Sequence, residues 1–384
     1  MRAETMTPKQ RIDAAIRLEK PDRVPVIPLT TNVSAAHAGI TMRKFYEDPQ
    51  ACMDAQRKAF LDLGGFDAML MAGPFSPDLF KSGAPVRVRV PGKELQDDEV
   101  MQIDESQPLM LAEDYDIIAS RGWSWTSENV IVPRRDPDAP RGLIGKIQGL
   151  VKVLPVIRGA AADAKWYKQH DAQILVGAPM LTPFELFCMG RTVHQFYMDL
   201  FRMPEKVIAA MDASLPEIVK TAITLNKRGG APWAFIGGAR GSSAMIGPKQ
   251  FEKFYLPYLK KATQEVLAAG LVPLFHLDSD WTGFLPYFLE MPKGVCVMEL
   301  DSATDIFKAK DTLRGHMCLM GDVPATLLKL GTRQQVTDYC KKLIDYVGGD
   351  GGFILSTGCD APHDAKWENM KALVDTGKTY ELSR

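Results

Sequence analysis

Eight short apolar runs, rich in Val, Ile, Leu, Met and Phe, recur along the chain between longer amphipathic stretches. Nearly continuous hydrophobicity in such runs is typical of parallel strands that are covered by helices on both faces. The alternation therefore predicts an α/β fold built from strand–helix units. The predicted strands are Val24–Leu29, Asp67–Ala72, Gln173–Ala178, Trp233–Gly238, Val272–Asp278, Val295–Leu300, Met317–Asp322 and Gly352–Thr357.

Two architectures fit this alternation: an open doubly wound sheet and a closed (β/α)8 barrel. The strand count favours the barrel. An open dinucleotide-binding sheet would also carry a G-x-G-x-x-G turn after its first strand, whereas VPVIPLTTNVSAA, residues 24–36, contains no glycine. We therefore predict an α/β fold of the (β/α)8 TIM-barrel class.

The chain is longer than a barrel requires, since it has 384 residues and a (β/α)8 core needs about 250. The surplus lies at residues 74–166, between the second and third strands. Within it, residues 85–102, PVRVRVPGKELQDDEVMQ, show the alternation and the Pro-Gly punctuation of a β-hairpin. We expect a single TIM-barrel domain over residues 1–384, with residues 74–166 as an insertion that covers part of the barrel mouth.

Charge and cysteine content limit the class of partner and the compartment. The 46 Lys and Arg residues nearly balance the 47 Asp and Glu residues, so a small, weakly charged ligand fits better than nucleic acid or an anionic membrane. Residues 1–23 contain no apolar run long enough for a signal peptide or a membrane span, which predicts a cytoplasmic protein. Scattered cysteines without a C-x-x-C pair predict reduced thiols. Those expected in the core are Cys52, Cys188, Cys296, Cys318 and Cys340.

The carboxyl ends of the last four strands carry side chains with catalytic chemistry, and barrel active sites lie at such ends. His276 and Asp278 leave the fifth strand on one face because they are two residues apart. With Cys359 after the eighth strand, they offer nitrogen, oxygen and sulfur ligands, which suit a catalytic zinc with an open fourth position. Glu299, at the end of the sixth strand, could occupy that position at rest. Zinc would keep Cys359 deprotonated at neutral pH.

These residues also have ordinary structural interpretations. A histidine on a strand is commonly a hydrogen-bonded core residue, and a cysteine among small residues is commonly a buried hydrophobe. Around the mouth, four further residues are candidates for substrate binding, although Asp322 could instead cap the next helix. They are Asn32, His37, Trp281 and Asp322.

Six segments of the chain resemble a known family. They are KQRIDAAIRLEKPDRVPV, TPFELFCMGR, GPKQFEKFYLPYLKKA, VPLFHLD, GDVPATLLKLGT and FILSTGCDAPHDAKWENMKAL. Together they make the chain similar, nearly from end to end, to the uroporphyrinogen decarboxylase superfamily. This superfamily contains both decarboxylases and zinc-dependent methyltransferases that work with a corrinoid cofactor, so the resemblance leaves two activities to distinguish.

In the methyltransferase branch, zinc is held by a His-x-Cys pair after the fifth strand and by the cysteine of a terminal S-T-G-C-D segment. His276 and Cys359 match this pattern, whereas Asp278 stands in place of the first cysteine. A carboxylate is a harder ligand than a thiolate, so the metal would be a stronger Lewis acid and would favour an oxygen-linked donor. The resemblance implies a methyltransferase of the O-demethylase type, which moves a methyl group from a small methyl ether or amine to a corrinoid.

The corrinoid is expected on a separate partner protein, because the chain has no D-x-H-x-x-G segment of the kind that corrinoid-binding domains use. A homodimer is compatible with this interpretation. The segment Leu29–Met42 contains no Arg or Lys, which argues against an acidic tetrapyrrole as substrate. Two alternatives stay open: a metal-free decarboxylase or lyase in which Asp322 moves protons, and a non-catalytic binding protein, which only Asp278 favours.

Overall fold

The strands of the protein, seen in a computed structural model, close into a barrel. Six parallel strands follow one another in sequence order within one sheet. The first barrel segment joins the last strand through a hydrogen bond from the N–H of Ile27 to the carbonyl oxygen of Leu355, at 2.9 Å. It joins the second segment through a bond from the N–H of Asp67 to the carbonyl oxygen of Val26, also at 2.9 Å. A parallel bridge continues the ring to the third segment, so the predicted (β/α)8 barrel is confirmed.

The structure describes residues 4–138 and 142–381, and no helix in these ranges is long and apolar enough to span a membrane. The strands are β1 (Arg87–Arg89), β2 (Gln102–Asp104), β3 (Met180–Leu181), β4 (Trp233–Gly238), β5 (Val272–Leu277), β6 (Val297–Leu300), β7 (Cys318–Val323) and β8 (Phe353–Thr357). The α-helices are α1 (Pro8–Ile16), α2 (Thr31–Ala38), α3 (Met42–Glu47), α4 (Pro49–Asp62), α5 (Pro77–Gly83), α6 (Asp114–Arg121), α7 (Trp123–Thr126), α8 (Val132–Arg135), α9 (Gly142–Gln169), α10 (Pro183–Arg191), α11 (Val193–Arg202), α12 (Pro204–Gly229), α13 (Pro248–Gln250), α14 (Leu256–Ala268), α15 (Ile306–Leu313), α16 (Ala325–Leu330), α17 (Arg333–Tyr346) and α18 (Trp367–Thr379).

The last five predicted strands form regular ladders near their predicted limits, whereas the first three pair only in part. The first segment contains Pro25 and Pro28, which have no backbone N–H to donate, and its isolated bridge is at Val26. In the third segment, the side-chain oxygen of Asn226 accepts the N–H of Gly177 at 2.8 Å in place of a neighbouring strand. Proline and a side-chain partner therefore shorten these ladders without opening the barrel.

Alternating side chains fill the barrel interior, which is a packed core and not a pore. His276 and Glu299 continue this inward series two residues beyond Leu274 and Val297, so they lie on top of the interior core. The five cysteines predicted to be core residues are all buried, whereas Cys359 is partly exposed. The interior side chains include Ile27, Leu29, Ala68, Leu70, Leu175, Trp233, Phe235, Leu274, Val297, Cys318, Met320 and Ile354.

Buried ion pairs close the amino-terminal end of the barrel, opposite the mouth. Asp67, which begins the second segment, accepts hydrogen bonds from Arg11 at 2.5 Å, from Arg23 at 2.7 Å and from the backbone N–H of Val26 at 2.8 Å. Arg11 also donates to Asp22 at 2.7 Å. Arg11 and Asp67 are completely shielded from solvent, so this network ties helix α1 to the first two barrel segments.

The insertion contains an antiparallel pair, β1 with β2, with Arg87 opposite Asp104, and its second strand begins where the predicted hairpin ends, at Gln102. Further along, the backbone N–H groups of Leu109 and Met110 both donate to the carbonyl oxygen of Gly190 at 2.8 Å, which fastens the insertion to helix α10. Residues 139–141 lie outside the described residues. The limits of the insertion, its cover over the mouth and the single domain stay predictions.

Candidate metal centre

Three predicted side chains meet at the barrel mouth. His276 is the penultimate residue of β5, Asp278 follows that strand directly, and Cys359 lies two residues beyond β8. The Nε2 atom of His276 is 3.5 Å from Oδ1 of Asp278 and 3.7 Å from Sγ of Cys359. The potential ligand atoms of the three side chains all lie within 4.8 Å of one another. Donor atoms at this spacing can share one metal ion.

The turn that carries Asp278 is held by backbone and indole hydrogen bonds. The N–H of Asp278 donates to the carbonyl oxygen of Gly238 at 2.9 Å, and the indole N–H of Trp281 donates to the carbonyl oxygen of Asp278 at 2.8 Å. Trp281 is 0% exposed and packs 5.4 Å from the ring of Tyr255. The buried ring of Trp281 thus holds the turn that carries Asp278, and substrate binding by Trp281 stays a prediction.

A close approach of two chain segments positions Cys359. A Cβ atom on Gly358 would lie 3.0 Å from the carbonyl carbon of Asp301, so glycine lets the end of β8 lie against the end of β6. On the other side, Asp360 accepts the backbone N–H of Asn32, in the first turn of α2, at 3.0 Å. Asn32 thus supports the segment that bears Cys359, and substrate binding by its side chain stays a prediction.

Glu299 lies on β6 and contacts His276 directly. Its Oε2 atom lies 2.6 Å from Nδ1 of His276, to which it is opposite in the β5–β6 ladder, and it is 0% exposed. Since Nδ1 is bonded to this carboxylate, Nε2 faces Asp278 and Cys359. Histidines that bind metals commonly donate their other ring N–H to such a carboxylate. This contact is of the kind that orients a metal-binding histidine, and Glu299 as a fourth ligand stays a prediction.

The charges of the centre follow from this arrangement. Burial alone would lower the pKa of His276, but the Glu299 carboxylate and the contacts with Asp278 and Cys359 together outweigh burial and raise that pKa well above its usual range. Burial would raise the pKa of Asp278, and the nearby His276 outweighs burial and lowers it. Burial raises the pKa of the Cys359 thiol. Cys359 is therefore a thiol at neutral pH unless a metal cation replaces its proton.

The two remaining substrate-binding candidates are His37, on helix α2, and Asp322, near the carboxyl end of strand β7. His37 is bonded through Nε2 to Asp62 at 2.7 Å and stacks on Trp367 with ring centroids 3.4 Å apart. These contacts direct the ring of His37 toward the neighbouring helices α4 and α18, and substrate binding by His37 stays a prediction. Asp322 accepts the hydroxyl of Tyr339, on helix α17, at 2.8 Å, and burial raises the pKa of Asp322 to about 7. Substrate binding by Asp322 stays a prediction.

Sequence reasoning missed two residues that shape the centre. The ring of Phe235 stacks on His276 with centroids 4.7 Å apart, and its inward position on β4 was visible only as part of an apolar run. Glu185 is buried, and its Oε1 atom accepts the backbone N–H groups of Ala239, Arg240 and Gly241, each at 3.0 Å. One glutamate in the apolar stretch PFELFCM was the available signal, since a buried carboxylate needs partners.

The class defined by fold and site is a (β/α)8 barrel with a His, Asp and Cys group at the carboxyl ends of its strands. The sequence profile of the uroporphyrinogen decarboxylase (URO-D) family matches residues 152–380, more than half of the chain. The chain belongs to this family. The resemblance found in the sequence motifs is thereby confirmed.

Two curated relatives and one solved structure extend the comparison. The chain is 23% identical over 380 residues to "Methylcobamide:CoM methyltransferase MtbA" of Methanosarcina acetivorans, with 98% of both chains covered. It is 24% identical over 233 residues to "Methylated-thiol--coenzyme M methyltransferase" of Methanosarcina mazei, with 60% of each covered. A solved "methyltransferase from Methanosarcina mazei" superposes with a TM-score of 0.70 at 16% identity, over 98% of this chain and 99% of that one. This structural likeness shows the fold.

Proposed function

We propose that this protein is a zinc-dependent methyltransferase that moves a methyl group from a small methylated substrate to a corrinoid on a separate partner protein in the cytoplasm. The observation that carries the proposal is the convergence of His276, Asp278 and Cys359 at the barrel mouth. One relative, a methylcobamide:CoM methyltransferase, uses a methylated corrinoid in methyl transfer, which supports a corrinoid as the reaction partner. The methyl donor that this donor set favours is a methyl ether or amine.

The three side chains fit a catalytic zinc ion. One imidazole, one carboxylate and one thiolate give the mixed set that zinc accepts, and three protein ligands leave a fourth position for substrate. The raised pKa of Cys359 agrees with this, because a buried thiol needs a cation in order to ionise. A zinc ion held there would polarise the heteroatom from which the methyl group leaves.

The protein's own residues prepare this position. Glu299 holds the proton on Nδ1 of His276, so that Nε2 is free to act as the donor atom. Phe235 covers one face of the same imidazole at an interplanar angle of 28° and shields it from water. Two hydrogen bonds fix the main chain of Asp278: its carbonyl oxygen accepts the indole N–H of Trp281, and its N–H donates to the carbonyl oxygen of Gly238. Together these contacts hold the donor atoms in place before substrate binds.

We expect Glu299→Gln to weaken zinc binding by about 10–100-fold, the usual effect of losing an outer partner of a metal-binding histidine. Glutamine keeps the shape but removes the charge that sets the orientation of His276. Zinc affinity measured with a competing chelator checks this expectation. Asp322→Asn is the control. It also replaces a buried carboxyl group, but Asp322 is bonded to Tyr339, so the zinc affinity should not change. Equal affinities for wild type and Glu299→Gln would refute the orienting role.

Asp278 is the residue that selects the class of methyl donor. Asp278→Cys should keep zinc bound at the same formal charge while lowering turnover of a methyl ether, because a thiolate donates more electron density and makes the metal a weaker Lewis acid. Asp278→Ala should lower both zinc affinity and turnover by more than about tenfold, since it removes a ligand and not only an outer partner. Equal activity of wild type and Asp278→Ala at limiting zinc would show that Asp278 is not a ligand.

One observation favours a second candidate, a metal-free decarboxylase or lyase. Burial raises the pKa of Asp322 to about 7, which is suitable for moving a proton at neutral pH. The two candidates differ in a coupled assay that follows the spectrum of cob(I)alamin with a panel of methoxylated aromatics and methylamines. Methylation with any of these donors supports the methyltransferase. Failure with the whole panel, together with metal-independent release of carbon dioxide from an acidic substrate, would favour the decarboxylase.

A further inference from the structure

Arg240 lies at the barrel mouth next to the candidate metal centre. It is two residues beyond the end of β4 at Gly238, whose carbonyl oxygen accepts the N–H of Asp278 at 2.9 Å. Its main chain is fixed on both sides. The buried Glu185 carboxylate accepts its N–H at 3.0 Å, and the hydroxyl of Tyr197 donates to its carbonyl oxygen at 2.7 Å. The main chain that carries the guanidinium is therefore held in place at the end of β4.

The guanidinium forms an ion pair with Glu105, which belongs to the insertion and directly follows β2. The two side chains are 19% and 21% exposed, so solvent reaches both. Residues 101–108 around Glu105 are exposed or half-buried, and the next buried position is Leu109, whose N–H is bonded to Gly190. Glu105 can therefore leave Arg240 without disturbing the packed core.

The pair is suited to exchange of one anion for another. Burial raises the pKa of Glu105 even though Arg240 lies against it, so desolvation opposes the pair. A guanidinium in a protein stays charged and presents a planar fork that matches a carboxylate. If Glu105 moves away, another carboxylate that enters the mouth can take the vacated hydrogen bonds to Arg240.

We propose that Arg240 binds a carboxylate on the methyl donor, in exchange for the carboxylate of Glu105. This inference rests on the proposed function, because it names the class of donor that the metal centre receives. The neutral loop after the first barrel segment is consistent with a donor that carries one acidic group and not several. Exchange of one carboxylate for another also preserves the net charge of the mouth. The substrate class is thus a methylated organic acid.

The test uses two probes of equal shape, 4-methoxybenzoate and 4-methoxybenzamide, titrated into the zinc-loaded full-length protein by isothermal calorimetry. Glu105→Gln removes an intramolecular competitor whose effective concentration is in the millimolar range, so it should tighten binding of the benzoate by about tenfold. Binding of the benzamide should not change. Arg240→Gln should abolish the preference for the benzoate, and Arg240→Lys, which keeps the charge but loses the fork, should retain part of it.

Two controls separate this effect from general changes. Glu290→Gln removes the carboxylate of an exposed pair with Lys260 and should leave both affinities at wild-type values. Glu105→Ala repeats the test if the amide of Glu105→Gln finds a new partner, and circular dichroism confirms that each variant is folded. The proposal is overturned if Glu105→Gln binds the benzoate no more tightly than wild type, or if it binds neither probe in the millimolar range.

The same probes distinguish failure of this inference from failure of the proposed function. Transfer of methyl groups to cob(I)alamin from the benzamide as readily as from the benzoate would leave the methyltransferase standing and overturn the role of Arg240. Selective binding of the benzoate without transfer from any donor in the panel would leave the anion site standing and contradict the methyltransferase.

Discussion

Cys359→Ala is expected to remove zinc from the protein and to lower methyl transfer by more than about 100-fold. Losing a metal ligand lowers metal affinity and activity more than losing an outer partner of a ligand does. The substitution leaves no unpaired charge, since burial keeps the thiol protonated when no cation is bound. The fold should survive, because Cys359 is partly exposed at the mouth. Zinc per chain and the rate of cob(I)alamin methylation are the two measurements.

The matched control is Cys340→Ala, which removes a buried thiol from helix α17 and should retain zinc and activity. His276→Ala is a less direct test, because it would leave the buried Glu299 without its partner and so destabilise the fold. The double variant His276→Ala with Glu299→Gln avoids that charge. Full zinc content in Cys359→Ala would contradict the assignment of Cys359 as a ligand.

Arg11→Met is expected to lower the free energy of unfolding by about 3–5 kcal/mol, the usual cost of removing one partner from a buried ion pair. Methionine replaces much of the volume, but Asp67 and Asp22 lose their bonds to the guanidinium at 2.5 and 2.7 Å. Lys9→Met is the matched control on the same helix, because its pair with Asp13 is exposed and such pairs contribute about 0–1 kcal/mol. Urea unfolding measures both values. Equal losses of unfolding free energy in the two variants would show that the buried network stabilises the protein no more than an exposed ion pair does.

The same network gives the stability of the protein a defined pH dependence. Burial would raise the pKa of Asp22, but the hydrogen bonds from Arg11 and from the backbone N–H groups of Met6 and Thr5 outweigh burial and lower it. The stabilising contribution of Asp22 is therefore complete above its unfolded pKa of about 3.9 and is lost as the pH falls below that value. Asp22→Asn should flatten the fall in unfolding free energy on acidification. An unchanged acid profile in this variant would contradict the assignment.

The barrel was predictable from the sequence because its strands are apolar and alternate with amphipathic helical stretches, and the convergence of His276 with Asp278 follows from the period of a strand. The pairing of these residues with Cys359 required the barrel topology, which brings strand ends together from distant parts of the chain. The weak ladders of the first segments were less predictable. Periodicity does not register the missing N–H groups of Pro25 and Pro28, although the sequence contains them.

The candidate site departs from prediction where a side chain's direction decides its role. A tryptophan after β5 is equally compatible with a substrate wall and with core packing, and the sequence does not reveal the enclosed ring of Trp281 or its bond to Asp278. Likewise, the ladder between β5 and β6 places Glu299 opposite His276. The contact of Glu299 with Nδ1 leaves Nε2 of His276 facing Asp278 and Cys359. Sequence spacing carries neither piece of information.

The central claim is that methyl transfer depends on a zinc ion at the His276, Asp278 and Cys359 group. The most direct measurement is the rate of cob(I)alamin methylation by metal-stripped protein as zinc is added back, with the donor panel in excess. We predict activity that rises in proportion to bound zinc and saturates at one ion per chain, and that is absent from the Cys359→Ala variant at every zinc concentration. Full activity in the metal-stripped protein would contradict the account.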